Sequence, residues 1–430
     1  MNLLNIIEYF RIRKIQEKYY RESVFDMAPL DNIISDYADK IYYSNRKQFK
    51  EFKCFSTDVG FWGTKLHDLG GHTPCLVNLA ESLYEKDKFP LFLTRLKQTY
   101  QDGPKAMNKL ANCCDSFGID FHSYKIEHSL IKLYNLIVEH APKVIFLYIQ
   151  QNDILATAII HLLKKHTNIK FAFFNHASHF PNLGMTFADI ILEGMPHNVE
   201  DTKKKRHLNN TVIVGLQSKR KDNIKYYSKD ELDNMRQKLG IKEGELLTVS
   251  GGSSYKYFSD GKSEHCEMIK RILEKTPNLK HLAITNLDSE QEKIVDDIFE
   301  DSPDVRKRLI FHPLTPQFDI LFQCADLFID SFPISSAMTQ IDLMSMKIPT
   351  TVKINRLNQI YSFHEYMPED YPYMYESVED MEKGILYLLS DKDERERITQ
   401  SNYNFWLNHY ESECVKKKYQ AIIGELIDGK

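Results

Sequence analysis

The sequence predicts an α/β protein of two domains, each built on a parallel sheet. Three observations carry this. At 430 residues the chain is too long for one ordinary core. Short apolar runs, closed by polar residues or proline, alternate with helical segments along most of its length. The stretch Arg308 to Val352, RLIFHPLTPQFDILFQCADLFIDSFPISSAMTQIDLMSMKIPTTV, holds two strand candidates, Leu309–Phe311 and Leu327–Asp330. Both are short and apolar, as strands buried on both faces tend to be.

Composition narrows the class. A hydrophobic content of 42% and a charged content of 27% are those of a soluble globular protein. A formal net charge of -4 argues against a nucleic-acid partner held through phosphate contacts. No apolar run approaches the roughly 18 residues of a membrane span. Seven cysteines with no CxxC give neither a disulfide framework nor a zinc spacing, so a reducing cytoplasm is expected. Cys113-Cys114 read as small half-buried hydrophobes.

Residues 1–50 read as a charged helical extension. Its opening, MNLLNIIEYFRIRKIQEKYY, meets charge too early for a secretory signal and reads as an amphipathic helix. Such a helix packs on its own domain or meets a membrane surface or a partner protein. The first domain is expected over 51–214. A strand ends near Trp62, and the loop Lys65 to Thr73 leads into a helix over Pro74–Tyr84. Further strands are expected at Phe89–Thr94, where Pro90 weakens the pattern, and at Val144–Ile149, Phe171–Phe174 and Ala188–Leu192. A helix is expected over Asp153–Lys165. Pro196 to Lys229 is polar and basic, with Lys203-Lys204-Lys205-Arg206 and Lys219-Arg220-Lys221 reading as solvated faces or a basic hinge. The second domain, 215–430, opens with a strand at Leu246–Ser250. A helix over His265–Lys275, a strand at His281–Thr285 and the two strands of the opening segment follow. A final helix over Asn402–Ile427 is placed to cross back to the first domain.

Four constellations carry candidate chemistry. The turn Ser335-Ser336-Ala337 joins a strand to a helix expected over Met338–Met346. A helix N-terminus behind a small-residue loop can hold a phosphate through its backbone N–H groups and dipole. Asp342, about one turn into that helix, is placed to reach a ribose hydroxyl. Gly251-Gly252-Ser253-Ser254-Tyr255-Lys256 follows the first strand of the second domain; its glycines admit a ligand closely, and Lys256 offers positive charge for a diphosphate. In the first domain, Gly70-Gly71-His72-Thr73 is a second small-residue loop before a helix, and His176 and His179 follow the Phe171–Phe174 strand. Asp391-Lys392-Asp393, an Asp-x-Asp pair of the kind that can hold a divalent metal, reads as a solvated face, so no metal site is expected.

On these residues the chain resembles glycosyltransferases of the GT-B fold, two Rossmann-like domains facing a cleft. The stretch Leu246 to Val352 is similar to the nucleotide-binding domain of the O-linked N-acetylglucosamine transferase family and its bacterial N-glycosyltransferase relatives. The resemblance implies a diphosphate-binding lysine, here Lys256, with Gly70, Gly71 and Ser253 in the loops beside the donor. It implies a loop near the base, His312 to Pro316, with His312 and Thr315 as contacts. Ser335, Ser336 and Thr339 would meet the diphosphate, and Asp342 the ribose; Asp342 stands seven positions before Pro349, a spacing like the family's. Two departures stand out. The family's His-Thr-Thr run is Ala337-Met338-Thr339 here. The first member of the paired-glutamate pattern of many retaining enzymes is Ile334, which leans towards inversion.

The resemblance implies a cytoplasmic bacterial enzyme, working free or at the inner membrane face. It would move a hexosyl or N-acetylhexosaminyl group from a nucleotide-diphosphate sugar, a UDP-sugar by preference, to a glycan, lipid-linked glycan or protein. No cofactor beyond the nucleotide sugar is implied. No tetratricopeptide array precedes the domains, so a protein acceptor is not specifically indicated. The base, read from first-domain loops, would be His72 or His176, with Asp68 third. Two other readings stand beside this one: a sugar-nucleotide epimerase, which shares the two-domain fold, and a catalytically silent subunit that binds a partner transferase.

Overall fold

The computed structural model describes residues 3–68, 72–95, 102–355 and 364–429. The chain forms two compact units. One comprises Met1–Gln217 with Ser412–Lys430, and the other Ser218–Glu411.

The first unit opens with α1 (Leu3–Arg21) and α2 (Ala28–Ser44), then continues through β1 (Thr57–Gly63), α3 (His72–Leu83), β2 (Phe89–Leu93), α4 (Pro104–Leu110) and β3 (Cys114–Gly118). Next come α5 (Ile126–His140), β4 (Pro142–Tyr148), α6 (Ile154–His166), β5 (Lys170–Phe174), β6 (Ile190–Glu193), α7 (Pro196–Lys205) and β7 (Thr211–Ile213). The second unit runs α8 (Lys229–Lys238), β8 (Leu246–Gly251), α9 (Glu264–Lys275), β9 (Leu279–Ile284), α10 (Ser289–Ile298), α11 (Pro303–Arg306) and β10 (Leu309–His312). It closes with α12 (Phe318–Gln323), β11 (Leu327–Ile329), α13 (Ala337–Ser345), β12 (Thr350–Lys353), β13 (Met374–Tyr375), α14 (Val378–Ser390) and α15 (Lys392–His409). The last helix, α16 (Ser412–Asp428), belongs to the first unit.

Both sheets are wholly parallel and share one topology. The strand orders are β3-β2-β1-β4-β5-β6-β7 and β10-β9-β8-β11-β12-β13. In each the order reverses between the first and fourth strands, and open sheets of this kind bind ligands at the carboxyl ends of those two strands.

Several elements depart from the sequence expectation. The helical extension is not detached: Leu30, Ile34, Tyr37 and Ile41 of α2 join the core of the first unit with α5 and α6. Pro90 sits inside β2 because the β1–β2 ladder begins one residue later, at Phe61 opposite Leu91, so its missing N–H interrupts no ladder bond there. Gly60 makes room for it, since a Cβ at that position would lie 3.3 Å from the Pro90 ring and 2.9 Å from the Pro142 ring. The basic run Lys203–Lys205 closes α7, where cations favour a helix C-terminus, but Arg206 turns inward and is buried. Cys113 and Cys114 are both buried, not half-buried, and form no disulfide. The single final helix is two: the chain breaks at Tyr410-Glu411, where Glu411 turns in to accept the Lys221 N–H at 3.1 Å.

Candidate active site

In the second unit the reversal point lies between β8 and β11, and the residues beyond their carboxyl ends meet there. Gly251 closes β8, and the short turn Ser254–Lys256 brings Lys256 back across Gly252. The Lys256 ammonium donates to the Ser336 hydroxyl at 2.9 Å and to the Ser335 carbonyl at 3.2 Å. Gly252 has a φ of 158°, which side-chain-bearing residues rarely adopt, and a Cβ there would stand 3.2 Å from Lys256 Cδ and 3.5 Å from Ser336 Oγ.

Beyond β11, Asp330 is fully buried and accepts hydrogen bonds from the Ser335 hydroxyl, the Ser331 N–H at 2.9 Å and the Ser336 N–H at 3.3 Å. This carboxylate shapes the Ser331–Ser336 loop. Burial pushes its pKa up to about 6, against the Ser335 hydroxyl and the Lys256 charge, which hold it down. Burial likewise lowers the Lys256 pKa, and the Asp330 carboxylate opposes that shift.

Ser336 occupies the N-cap of α13 without capping it, for no side-chain bond to the helix forms. Its hydroxyl faces Lys256 and Ser331 Oγ instead. An N-cap serine whose hydroxyl turns to a half-buried ammonium instead of the helix is an arrangement suited to an anion.

Asp342, in the second turn of α13, is half-buried; burial raises its pKa to about 6, with the Lys219 charge opposing and the Asp319 charge assisting. Lys219 and Asp319 themselves stand 3.7 Å apart. Thr339 precedes Asp342 by three positions and is partly buried. His312 ends the edge strand β10, its Nδ1 2.7 Å from the Pro313 carbonyl, and the Thr315 hydroxyl accepts from the Gln317 N–H at 3.2 Å. Ser253 accepts the Lys256 N–H at 3.0 Å, so it holds the turn that carries the lysine. Asp391 caps α15 through the Glu394 N–H.

The first unit brings two of the three candidate bases together. His72 opens α3 and His176 follows β5, and their rings stack 4.4 Å apart at 21°. His67 meets His72 edge-on at 6.2 Å. Nε2 of His72 and Nδ1 of His176 are buried with no hydrogen-bond partner among the described residues. Burial lowers both pKa values, that of His176 to about 4, so both rings are neutral at pH 7. Asp68 is engaged elsewhere, accepting the Ala106 N–H at 3.0 Å in the first turn of α4. His179 is exposed and tilts against Phe180 rather than joining the pair. Gly70 and Gly71 lie outside the described residues.

A buried network that the sequence reading missed holds the His176 loop. Glu193, at the end of β6, accepts both oxygens' worth of contact from the Asn175 amide at 3.0 Å and accepts the Thr202 hydroxyl at 2.6 Å. Asn182 donates to Asn175 Oδ1 at 3.2 Å, to the Ala177 carbonyl at 3.1 Å and to the Phe180 carbonyl at 3.0 Å. Arg206 donates to the Ser178 and Phe180 carbonyls at 2.6 and 3.0 Å. Burial raises the Glu193 pKa to about 7, with Thr202, Asn175 and the Arg206 charge opposing. The available signal was a glutamate closing the apolar run Ala188–Leu192, directly beyond a strand buried on both faces.

No protein-family model matches the sequence, and no curated protein sequence does. Solved structures do match in fold. A glycosyltransferase from Rickettsia africae superposes with a TM-score of 0.68 at 11% identity, covering 87% of this chain and 100% of that one. Anabaena HepE in complex with UDP and glucose gives 0.66 at 13% identity, covering 86% and 100%. The O-GlcNAc transferase of Thermobaculum terrenum gives 0.56 at 10% identity, covering 97% and 77%. The chain has the GT-B fold, two Rossmann-like units with an N-terminal helical segment.

Proposed function

We propose that the chain is a glycosyltransferase that takes its sugar from a UDP-sugar, without a metal, and inverts the anomeric centre. The observation that carries this is the Lys256–Ser336 pair at the start of α13, at the point where the second sheet reverses its order. A diphosphate placed there meets an ammonium, serine hydroxyls and the positive end of a helix dipole. Asp342 on the same helix would take the ribose hydroxyls, and the His312–Pro316 loop the base. The HepE structure, which holds UDP and glucose in the same fold, supports the choice of nucleotide.

In the reaction the acceptor hydroxyl oxygen attacks the anomeric carbon as the bond from that carbon to the diphosphate oxygen breaks. The leaving diphosphate gains negative charge, which Lys256 and the helix start would stabilise most at the transition state. The acceptor proton passes to an imidazole nitrogen of the His72–His176 pair, neutral and therefore able to accept it. Ile334, where the paired-glutamate pattern of many retaining enzymes has its first member, favours a single inverting displacement. The acceptor would be a glycan, a lipid-linked glycan or a protein.

Calorimetric titration with UDP, GDP and CMP, without added metal, tests the donor half. Saturable binding of UDP that Lys256→Ala weakens at least tenfold is the expected result; no binding of any nucleotide would move the chain to the silent-subunit reading. Turnover of a UDP-N-acetylhexosamine without an acceptor would replace transfer by epimerisation.

A further inference from the structure

Helix α1 packs on the first unit by one face and leaves the opposite face in solvent. Tyr9, Ile12 and Gln16 are buried; Asn5 donates to the Glu127 carboxylate at 2.9 Å, and the Tyr37 hydroxyl donates to the Asn5 carbonyl at 3.0 Å. Positions 3, 7, 10, 14, 18 and 21 follow helical spacing and form one stripe on the other side. Its first half is apolar: Leu3 is 66% exposed, Ile7 56% and Phe10 44%, with Leu4 beside them at 72%. Its second half is cationic and exposed, consisting of Lys14, Lys18 and Arg21, with Arg11 beside them. Arg11 pairs with Glu8 and Lys18 approaches Glu22, whereas Lys14 and Arg21 form no ion pair among the described residues.

Four large apolar side chains gathered on one exposed surface need a cover, and the charge running on from them says which kind. We propose that this stripe is a docking surface for an anionic lipid bilayer. The Leu3–Phe10 half enters the interface and the Lys14–Arg21 half lies along the headgroups. A protein partner with an apolar groove would leave the cationic half without a counterpart. The lipid surface answers both halves at once. No helix among the described residues is long and apolar enough to cross a membrane, so the contact is peripheral.

The cationic end of α1 reaches the loop that carries His176. Tyr20 stacks on Phe180, with ring centroids 6.1 Å apart at 19°. Docking through this helix therefore sets that loop close to the membrane surface, where a lipid-linked hydroxyl would be found. The docking itself does not depend on the transferase reading.

The test is flotation of the full chain with vesicles of phosphatidylcholine alone and of equal parts phosphatidylcholine and phosphatidylglycerol, at low and high salt. Two double variants accompany it, Ile7→Glu with Phe10→Glu and Lys14→Glu with Lys18→Glu. All four positions face solvent, so circular dichroism and UDP titration should read as for the parent chain. The expected result is binding to the anionic vesicles alone, weakened by salt and reduced at least tenfold by either variant. Each cation near such a surface contributes about fivefold in partitioning. Absence of vesicle binding overturns the proposal, and so does binding that both variants leave unchanged. A dimer in solution that the Ile7→Glu, Phe10→Glu variant converts to monomer, with no lipid binding, would give the face to a second copy instead.

Discussion

Replacing Lys256 probes the donor site most directly. Its ammonium spends two hydrogen bonds inside the protein, on Ser336 Oγ and the Ser335 carbonyl. An ammonium has three donors, so one remains for a bound phosphate oxygen. A hydrogen bond to a charged group contributes about 1.5–3 kcal/mol, and each 1.4 kcal/mol is about tenfold in affinity. Lys256→Ala should therefore weaken UDP binding by about 10- to 150-fold, and Lys256→Met, which keeps the apolar stem, by nearly as much. Stability moves separately. Removing the cation raises the Asp330 pKa further above about 6, because burial then acts with less opposition. A carboxyl whose folded pKa lies above its unfolded one costs stability when ionised, and that cost disappears as pH falls below both values. The variant should thus be less stable than the parent at pH 8 and close to it at pH 5. Calorimetric titration with UDP and urea melts at the two pH values measure both effects. UDP affinity within threefold of the parent, in a variant that folds, would refute the placement of the diphosphate.

Other substitutions test the remaining assignments. Asp342→Asn should weaken UDP binding about tenfold through the lost ribose contact. It should also raise stability at pH 8 by about 1–2 kcal/mol, because the native carboxyl is half-buried with a pKa raised to about 6; that gain should shrink as pH falls through 6 and be lost below the unfolded value of 3.8, where the carboxyl is neutral folded and unfolded alike. Glu193→Ala leaves the Asn175 amide and the Thr202 hydroxyl without their buried acceptor and should cost about 1–3 kcal/mol for each group left unpaired, with Glu193→Gln milder, in urea melts. Proton–nitrogen spectra of the imidazoles should show His176 neutral down to pH 5 and His72 titrating well below an ordinary imidazole, since burial depresses both; a midpoint near 6.5 for either ring would contradict the packed pair. His176→Gln should lower kcat far more than it changes UDP affinity, as measured by turnover and titration on the same sample.

The sequence disclosed the strands that are apolar throughout, and little of what lies between them. β4, β5, β8 and β9 stand out because strands buried on both faces of a parallel sheet must be continuous in apolar character. β3 was missed because it is an edge strand whose Asp115 and Ser116 are exposed, so no apolar run marks it. β7 and α7 were hidden in a basic stretch that reads as solvated coil, although Asn198, Thr202 and Arg206 of α7 and its end are buried. The break between α15 and α16 carries no glycine or proline. It is enforced by Glu411 turning inward to the Lys221 N–H, a tertiary contact with no local signature.

The site was legible where it depends on backbone and obscure where it depends on burial. Gly252, Lys256 and Ser336 could be read because loop glycines and small hydroxyl residues before a helix have a local physical meaning. Asp330 and Glu193 could not, since a carboxylate ending an apolar run looks like a surface residue until the sheet is assembled. Yet the two follow one rule. In a parallel sheet every carboxyl end lies along the same edge, so the polar residues that close the apolar runs are gathered there: Thr64 after β1, Asp153 after β4, Asn175 after β5 and Glu193 on β6. All four are buried and hydrogen-bonded, Thr64 donating to Asp153 at 2.6 Å and Asn175 to Glu193 at 3.0 Å. Burying such groups costs free energy unless each finds a partner. Their pairing along one edge makes that edge rigid, and a rigid edge is what a loop such as Asn175–His179 needs if His176 is to be held in one position. The polar residue that ends an apolar run in a two-layered α/β sequence is therefore better read as part of the site's framework than as the point where a strand meets water.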